Sequence, residues 1–265
     1  MVKNLRIEWM KIKNYRVFQV FSVLYIAGIL LIIYIFYRVY IDLIGNIQES
    51  VTGVQSEGSD FFRLFGAENI WRTVCFATSF LLYLPGMIII NLFINEVNFK
   101  THRQNIIDGW KRETFIYTKI GLIICMSLAI TVMNLIATLI MASVTGTSFS
   151  LEGSWMLGLC FVQSFIYLMF ALLLATLFRR SGIAIIVFFI YGLLLEFLLM
   201  WLFGKIIPGS EHFLPLQVSD SLLPFPLAKG LYKNLPGVEV MLPAAIAIAA
   251  LYIYFAVRKY KYDDL

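Results

Sequence analysis

Three polar side chains stand alone inside long apolar runs of the sequence: Asn134, Gln163 and Glu196. A polar group away from water is costly unless it has a partner, so such a side chain bonds to another helix or faces a cavity. We expect Asn134 and Gln163 to bond between helices. Glu196 is either a neutral or paired structural carboxyl, bonded to a neighbouring helix, or a contact for a substrate.

Residues that could support catalysis or bind a metal ion do not cluster. Cys75, Cys125 and Cys160 fall within apolar runs, where a thiol usually serves as a small hydrophobic side chain. His102 and His212 lie in different loops, so no set of metal ligands has the usual spacing. Neither an H-E-x-x-H nor a G-x-S-x-G motif occurs. We therefore expect no catalytic residue, metal or cofactor in this chain, and an intramembrane enzyme is the least favoured function.

The composition predicts that most of the chain lies in lipid. Hydrophobic residues make up 60% of the 265 residues and charged residues 14%, whereas ordinary soluble domains carry about 25% charged residues. Six apolar runs are long enough for a helix that crosses a hydrocarbon core of about 30 Å. These runs cover about residues 17–40, 71–95, 118–144, 154–178, 183–204 and 240–257. We predict a single all-α polytopic membrane domain over residues 1–265, because a β-barrel would show short alternating segments instead.

Basic residues are distributed unevenly between the two sides of this six-span arrangement. Fifteen of the 21 lysines and arginines fall before the first span, in the 96–119 region, at 179–180 and after the sixth span. Short loops rich in lysine and arginine stay in the cytoplasm. We therefore predict that both termini are cytoplasmic. The net charge of +5 is explained by this topology, and no nucleic-acid partner is expected.

Residues 1–16 are basic and amphipathic. Val2, Leu5, Trp9 and Ile12 recur at helical spacing, while basic residues occupy the other faces. A helix of this kind lies in the headgroup layer with its basic residues toward anionic lipid. The alternative is a plain basic flank that only orients the first span.

The polar stretch between the second and third spans, residues 96–117, is longer than a simple connection requires. It mixes charges with apolar side chains, and Ile106, Ile107 and Trp110 would form a ridge on a short helix that Gly109 ends. An exposed apolar ridge indicates a binding partner. The alternative is a second interfacial helix that rests on lipid.

The stretch "EVNFKTHRQNIIDGWKRETFIYTK" resembles the loop between the second and third spans of type-2 ABC transporter permeases, of the bacitracin and lantibiotic-export kind. In those proteins a Glu ends the second span, and a T-x-R-Q stretch, a Gly and a basic-x-x-aromatic pattern precede a Lys that opens the third span. The matching residues here are Glu96, Thr101, Arg103, Gln104, Gly109, Arg112, Phe115 and Lys119. Lys111 replaces a small Ser or Thr of that pattern.

The resemblance implies that this loop is a coupling helix, which docks in a cleft of a cytoplasmic ATPase and transmits its movements. Ile106 and Trp110 would then belong to the docking surface. No G-x-x-x-x-G-K-[ST] phosphate loop occurs in the sequence, so ATP and Mg would be bound by a separate ATPase chain.

The resemblance also implies a second permease copy or a sister permease, and a place in a bacterial inner membrane. The transported substrate would be an amphipathic or hydrophobic peptide, drug or lipid that leaves the cytoplasm. A non-transporting assembly or signalling subunit with the same fold is the alternative function.

Residues 206–239 contain five of the seven prolines and are nevertheless apolar. Irregular backbone is tolerated at membrane depth only where protein buries it or where it lines a cavity. We therefore expect a re-entrant outer segment before the last span, as the resemblance also implies. Pro85 and Gly86 predict a kink in the second span.

Overall fold

The computed structural model describes residues 2–49, 64–67, 69–101, 112–146, 151–226 and 235–262. These residues form helices and connecting turns, and none of them belongs to a β-strand. The predicted all-α class is therefore confirmed. The helices, in chain order, are α1 (Val2–Lys13), α2 (Arg16–Glu49), α3 (Ile70–Ser79), α4 (Tyr83–Asn98), α5 (Arg112–Thr145), α6 (Met156–Phe178), α7 (Ser181–Ile190), α8 (Glu196–Ile206), α9 (Gln217–Asp220) and α10 (Val238–Tyr262).

Within the described residues, six helical stretches are long and apolar enough to cross a membrane. The first span is α2, the second is α3 with α4, the third is α5, the fourth is α6, the fifth is α7 with α8, and the sixth is α10. The chain is thus a multi-pass membrane protein, with the number of spans that the hydropathy predicts. A helix satisfies most of its backbone hydrogen bonds internally, which a lipid environment demands.

The third span begins earlier than its apolar residues indicate. Arg112, the first residue described after 102–111, is already helical in α5, whereas we predicted a start near residue 118, and α4 continues to Asn98. The charged residues at the start of α5 pair with other parts of the chain, so the helix continues through them. Residues 112–117 of the predicted 96–117 loop therefore belong to the helix of the third span.

Pro85 and Gly86 predict a kink, and the helical pattern of the second span changes a few residues before them. A short 3-10 stretch, Phe80–Leu82, separates α3 from α4. Proline lacks an N–H, so the carbonyl four residues before Pro85 cannot accept the usual helical bond. Gly86 serves a different purpose, because a Cβ at this position would overlap the ring of Phe188 in the fifth span.

The fourth span lies at the centre of the bundle. It packs against the second, third, fifth and sixth spans, and Ile166, Leu168, Met169, Ala171 and Leu172 are completely buried. The first and fifth spans lie at the periphery and leave most of their side chains exposed. These exposed faces are apolar, as a lipid-facing surface requires.

The fifth span is interrupted by a π-helical turn, Tyr191–Leu195, between α7 and α8. After α8, residues 207–226 fold back onto the bundle through a 3-10 turn (Ser210–Phe213) and α9. Helix α9 packs against the fourth and sixth spans. Of the segment predicted to be re-entrant, residues 227–234 lie outside the described residues.

Candidate functional site

A buried ion-pair cluster joins the two ends of the stretch that resembles a coupling loop. Lys119, in the third span, is only 4% exposed, and its Nζ lies 2.7 Å from Oε1 of Glu96 near the end of the second span. The same Nζ forms a second ion pair with Glu8 of α1, whose side chain is 1% exposed. The cluster therefore connects three helices that are distant in sequence.

Lys11 completes the cluster. Its Nζ lies 3.2 Å from Oε1 of Glu8 and 3.8 Å from Oε1 of Glu96. Within the described part of the chain, two lysines thus face two carboxylates. This pairing matters because a buried charge without a partner costs several kcal/mol.

The electrostatics of Glu8 depend on this pairing. Burial by itself opposes ionisation, but the charges and hydrogen bonds of Lys119 and Lys11 outweigh it and hold the pKa of Glu8 below its ordinary value. Glu8 is therefore ionised at neutral pH and ties α1 to the bundle as a charged group.

The periodicity of α1 explains how Glu8 reaches Lys119. Glu8, Lys11 and Ile12 follow one another at helical spacing and therefore share a face; Ile12 is 1% exposed and Glu8 is buried. Trp9 lies on another face, where it is exposed and contacts Phe18 edge-on. Two of the apolar residues that recur at helical spacing in residues 1–16 are thus separated, with Ile12 in the bundle and Trp9 at its surface.

Phe115, one of the residues that match the permease pattern, is buried in the bundle. Its side chain therefore anchors α5 to the neighbouring spans. Its ring stacks on Tyr260 of the sixth span at 5.1 Å between centroids, and lies 6.0 Å from the ring of Phe93. A second link between the third and sixth spans is the ion pair of Glu113 with Lys261, at 2.6 Å on the surface. The start of α5 therefore contacts the second and sixth spans.

The remaining residues of the predicted coupling set divide into two groups. Thr101 is exposed, and its Oγ1 donates a 3.1 Å hydrogen bond to the Glu96 carbonyl. Arg112 is the first residue of α5. Outside the described residues lie Arg103, Gln104, Ile106, Gly109 and Trp110, whose roles stay predictions.

A second polar cluster lies toward the opposite ends of the spans. Oε1 of Glu196 accepts hydrogen bonds from the backbone N–H groups of Leu216 and Gln217, both at 2.7 Å. The partner of Glu196 is therefore the backbone around the start of α9, in the segment that follows the fifth span. Tyr252 of the sixth span adds a 3.0 Å bond to the Pro215 carbonyl.

Asp220 connects the same segment to the fourth span. Its carboxylate accepts bonds from Gln163 Nε2 at 2.8 Å and from the Tyr167 hydroxyl at 2.9 Å. Asn134 also bonds between helices, because its side-chain oxygen accepts a hydrogen bond from Thr78 of the second span. Gln163 and Asn134 thus make interhelical bonds of the expected kind.

Sequence reasoning missed Glu8 and Asp220. Glu8 is the only acidic residue among the first sixteen, which could have marked it as a salt-bridge partner. Asp220 carried no comparable signal. The described residues contain no group of three or more histidine, cysteine or acidic side chains that could hold a metal ion.

Comparisons of this chain with protein-family models, curated proteins and solved structures found no match. The class that the fold defines is a multi-pass helical membrane protein, with six helices among the described residues long and apolar enough to cross a membrane.

Proposed function

We propose that this chain is the membrane subunit of an ATP-driven ABC exporter, in which residues 96–119 couple a separate cytoplasmic ATPase to the spans. The observation that carries the proposal is that the two ends of this stretch, which we call its base, are joined to each other. Glu96 and Lys119, which bound the resemblance in sequence, form an ion pair of 2.7 Å. A loop with its two ends joined in this way moves with the helices that hold it.

The contacts around this base support a path for mechanical coupling. A force on the loop would act on the second and third spans through Glu96 and Lys119, and on α1 through Glu8. Phe115 and Tyr260 would carry it to the sixth span. Separating buried partners of opposite charge is costly, so these elements would move together.

The proposal includes a side of the membrane and a transport direction. The loop, both termini and the basic ends of the spans would face the cytoplasm of a bacterial cell. Residues 206–239 would form a re-entrant segment at the outer mouth, held by Glu196 and Asp220. The substrate would be an amphipathic or hydrophobic peptide, drug or lipid, and a second copy or sister permease would complete the pathway.

Affinity purification in mild detergent tests the proposal directly. We expect a soluble ATPase to accompany the chain in equal amounts, and its hydrolysis of ATP to rise with a hydrophobic substrate. An accompanying ATPase without ATP-dependent export in vesicles would favour the assembly or signalling function instead.

Two variants then test the docking role of the loop. Trp110→Ala should weaken ATPase binding by about 2 kcal/mol, as interface aromatics often do, and Arg103→Glu should weaken it as well. Tyr262→Ala, which removes an exposed aromatic at the end of the sixth span, is the control. Full retention of the ATPase by both loop variants would contradict the assignment.

A further inference from the structure

An apolar groove runs between α1 and the first three spans. It encloses about 220 Å³. Helix α1 lines it with Trp9 and Ile12, and the first span with residues between Phe18 and Ile26. The second span adds Pro85 and Ile88, and the third adds residues between Leu122 and Met133. Its floor is buried, with Ile12, Ile88 and Ile130 at 5% exposure or less. Cys125 and Ala129 are exposed at its edge, so the groove opens toward the lipid.

The length of the groove corresponds to one leaflet. The third span lines it from Leu122 to Met133, a rise of about 17 Å at about 1.5 Å per residue. Half of the hydrocarbon core is about 15 Å thick. An empty apolar groove would forfeit van der Waals contacts along its walls, and an acyl chain has the shape and polarity to restore them.

Basic residues adjoin the groove in sequence, since Lys13 follows Ile12 and Arg16 lies two residues before Phe18, both of which line it. Arg6, Trp9 and Lys13 recur at helical spacing and share a face of α1, and Trp9 lines the groove. Arg16 is the first residue of α2 and follows the short turn after α1. All three basic side chains are exposed, and none forms an ion pair with a carboxylate among the described residues.

We propose that this groove binds one anionic phospholipid, with an acyl chain between the first three spans and the phosphate at Lys13 and Arg16. Each basic residue near a membrane surface favours anionic lipid, and the amphipathic Trp9 suits the boundary between headgroup and acyl chain. The proposal requires only that the chain spans a membrane, and it does not depend on the proposed transport function.

The bound lipid can be counted by native mass spectrometry of the detergent-washed protein, after incubation with phosphatidylglycerol or phosphatidylcholine. We expect one phosphatidylglycerol to remain on the wild-type chain. Ala129→Phe fills the groove and should lower its retention at least about tenfold, the equivalent of about 1.4 kcal/mol. Ala247→Phe, at an exposed alanine of the sixth span, is the matched control and should retain the lipid.

The headgroup contact is tested by a Lys13→Gln and Arg16→Gln double variant. It should retain phosphatidylglycerol no better than phosphatidylcholine. Arg38→Gln with Lys205→Gln removes the same charge at the opposite ends of the spans and should keep the preference.

Cys125 provides a test that needs no substitution. It is the exposed one of the three cysteines, and it lines the groove. Alkylation with a long-chain maleimide should displace the lipid from the folded wild-type protein. Three outcomes would overturn the proposal. The Ala129 and Ala247 variants could lose lipid equally, or the protein could keep all of its lipid after Cys125 alkylation. The third is a bound hydrophobic peptide in place of lipid.

Discussion

Lys119 and Glu8 form a buried ion pair across 111 positions of the chain. The pair joins the helix that precedes the first span to the third span, and Glu96 adds the end of the second span to the same cluster. Three helices therefore share one cluster of paired charges, on which the anchoring of α1 depends.

Replacement of Lys119 by methionine should destabilise the protein by about 3–5 kcal/mol, because it leaves the buried Glu8 and Glu96 without their main partner. Thermal unfolding in detergent would measure the loss. Lys261→Met removes a lysine whose ion pair with Glu113 is on the surface and should change stability little. A Glu8→Gln and Lys119→Met double variant should lose less than the sum of the single variants. Strict additivity would contradict the coupling.

The stability of the protein should fall with acid in a way that depends on Glu8. The fold holds the pKa of Glu8 below its ordinary value of about 4.5. Ionised Glu8 thus stabilises the fold above pH 4.5, and this contribution is lost as the pH falls through the lower, folded pKa. Melting temperatures from about pH 7 to about pH 3 should decline less steeply in Glu8→Gln than in the wild type. Glu239→Gln, at an exposed carboxyl, should keep the wild-type slope.

Glu196 should tolerate glutamine but not leucine. Glutamine keeps an oxygen that can accept the N–H groups of Leu216 and Gln217, whereas leucine leaves both without a partner, at about 1–3 kcal/mol each. Thermal unfolding and ATP-dependent export in vesicles would measure the two effects. If Glu196→Gln abolished export and wild-type export needed a proton gradient, a proton-coupled carrier would replace the ATP-driven proposal.

Gly192, within the π-helical turn, should not tolerate alanine. A Cβ there would overlap the Tyr83 hydroxyl, and the Tyr83 ring is held by stacking on Phe189 at 5.0 Å. We expect a loss of about 1–3 kcal/mol from overpacking. Gly182→Ala in the same span meets no atom within 4 Å and should be neutral or slightly stabilising in the same unfolding experiment.

We predict the direction of the spans from the uneven basic residues, and fused reporters can measure it. A reporter that is active only outside the cytoplasm should work near Ser56 and near Leu231 but not after Leu265. An active reporter after Leu265 would overturn the predicted number of spans.

The sequence by itself determined the number and approximate positions of the spans. A run of about twenty apolar residues has one stable form in lipid, a helix that satisfies its own backbone bonds, and the six predicted runs are helical. Helix ends were less predictable. The third span is already helical at Arg112, the first residue described after 102–111, and charged residues beyond its apolar part, among them Glu113, have partners elsewhere in the fold.

The two polar clusters were decided by the tertiary structure alone. Asp220 has the sequence context of a loop carboxyl, and only the folding of residues 207–226 onto the bundle brings it to Gln163 and Tyr167. Glu8 likewise meets Lys119 only when α1 packs against the third span. Which distant residues meet depends on which helices are neighbours and how each is rotated. A span that is apolar on all sides has no amphipathic face to record that rotation, so hydrophobicity predicted which segments enter the lipid, and packing decided which charges pair.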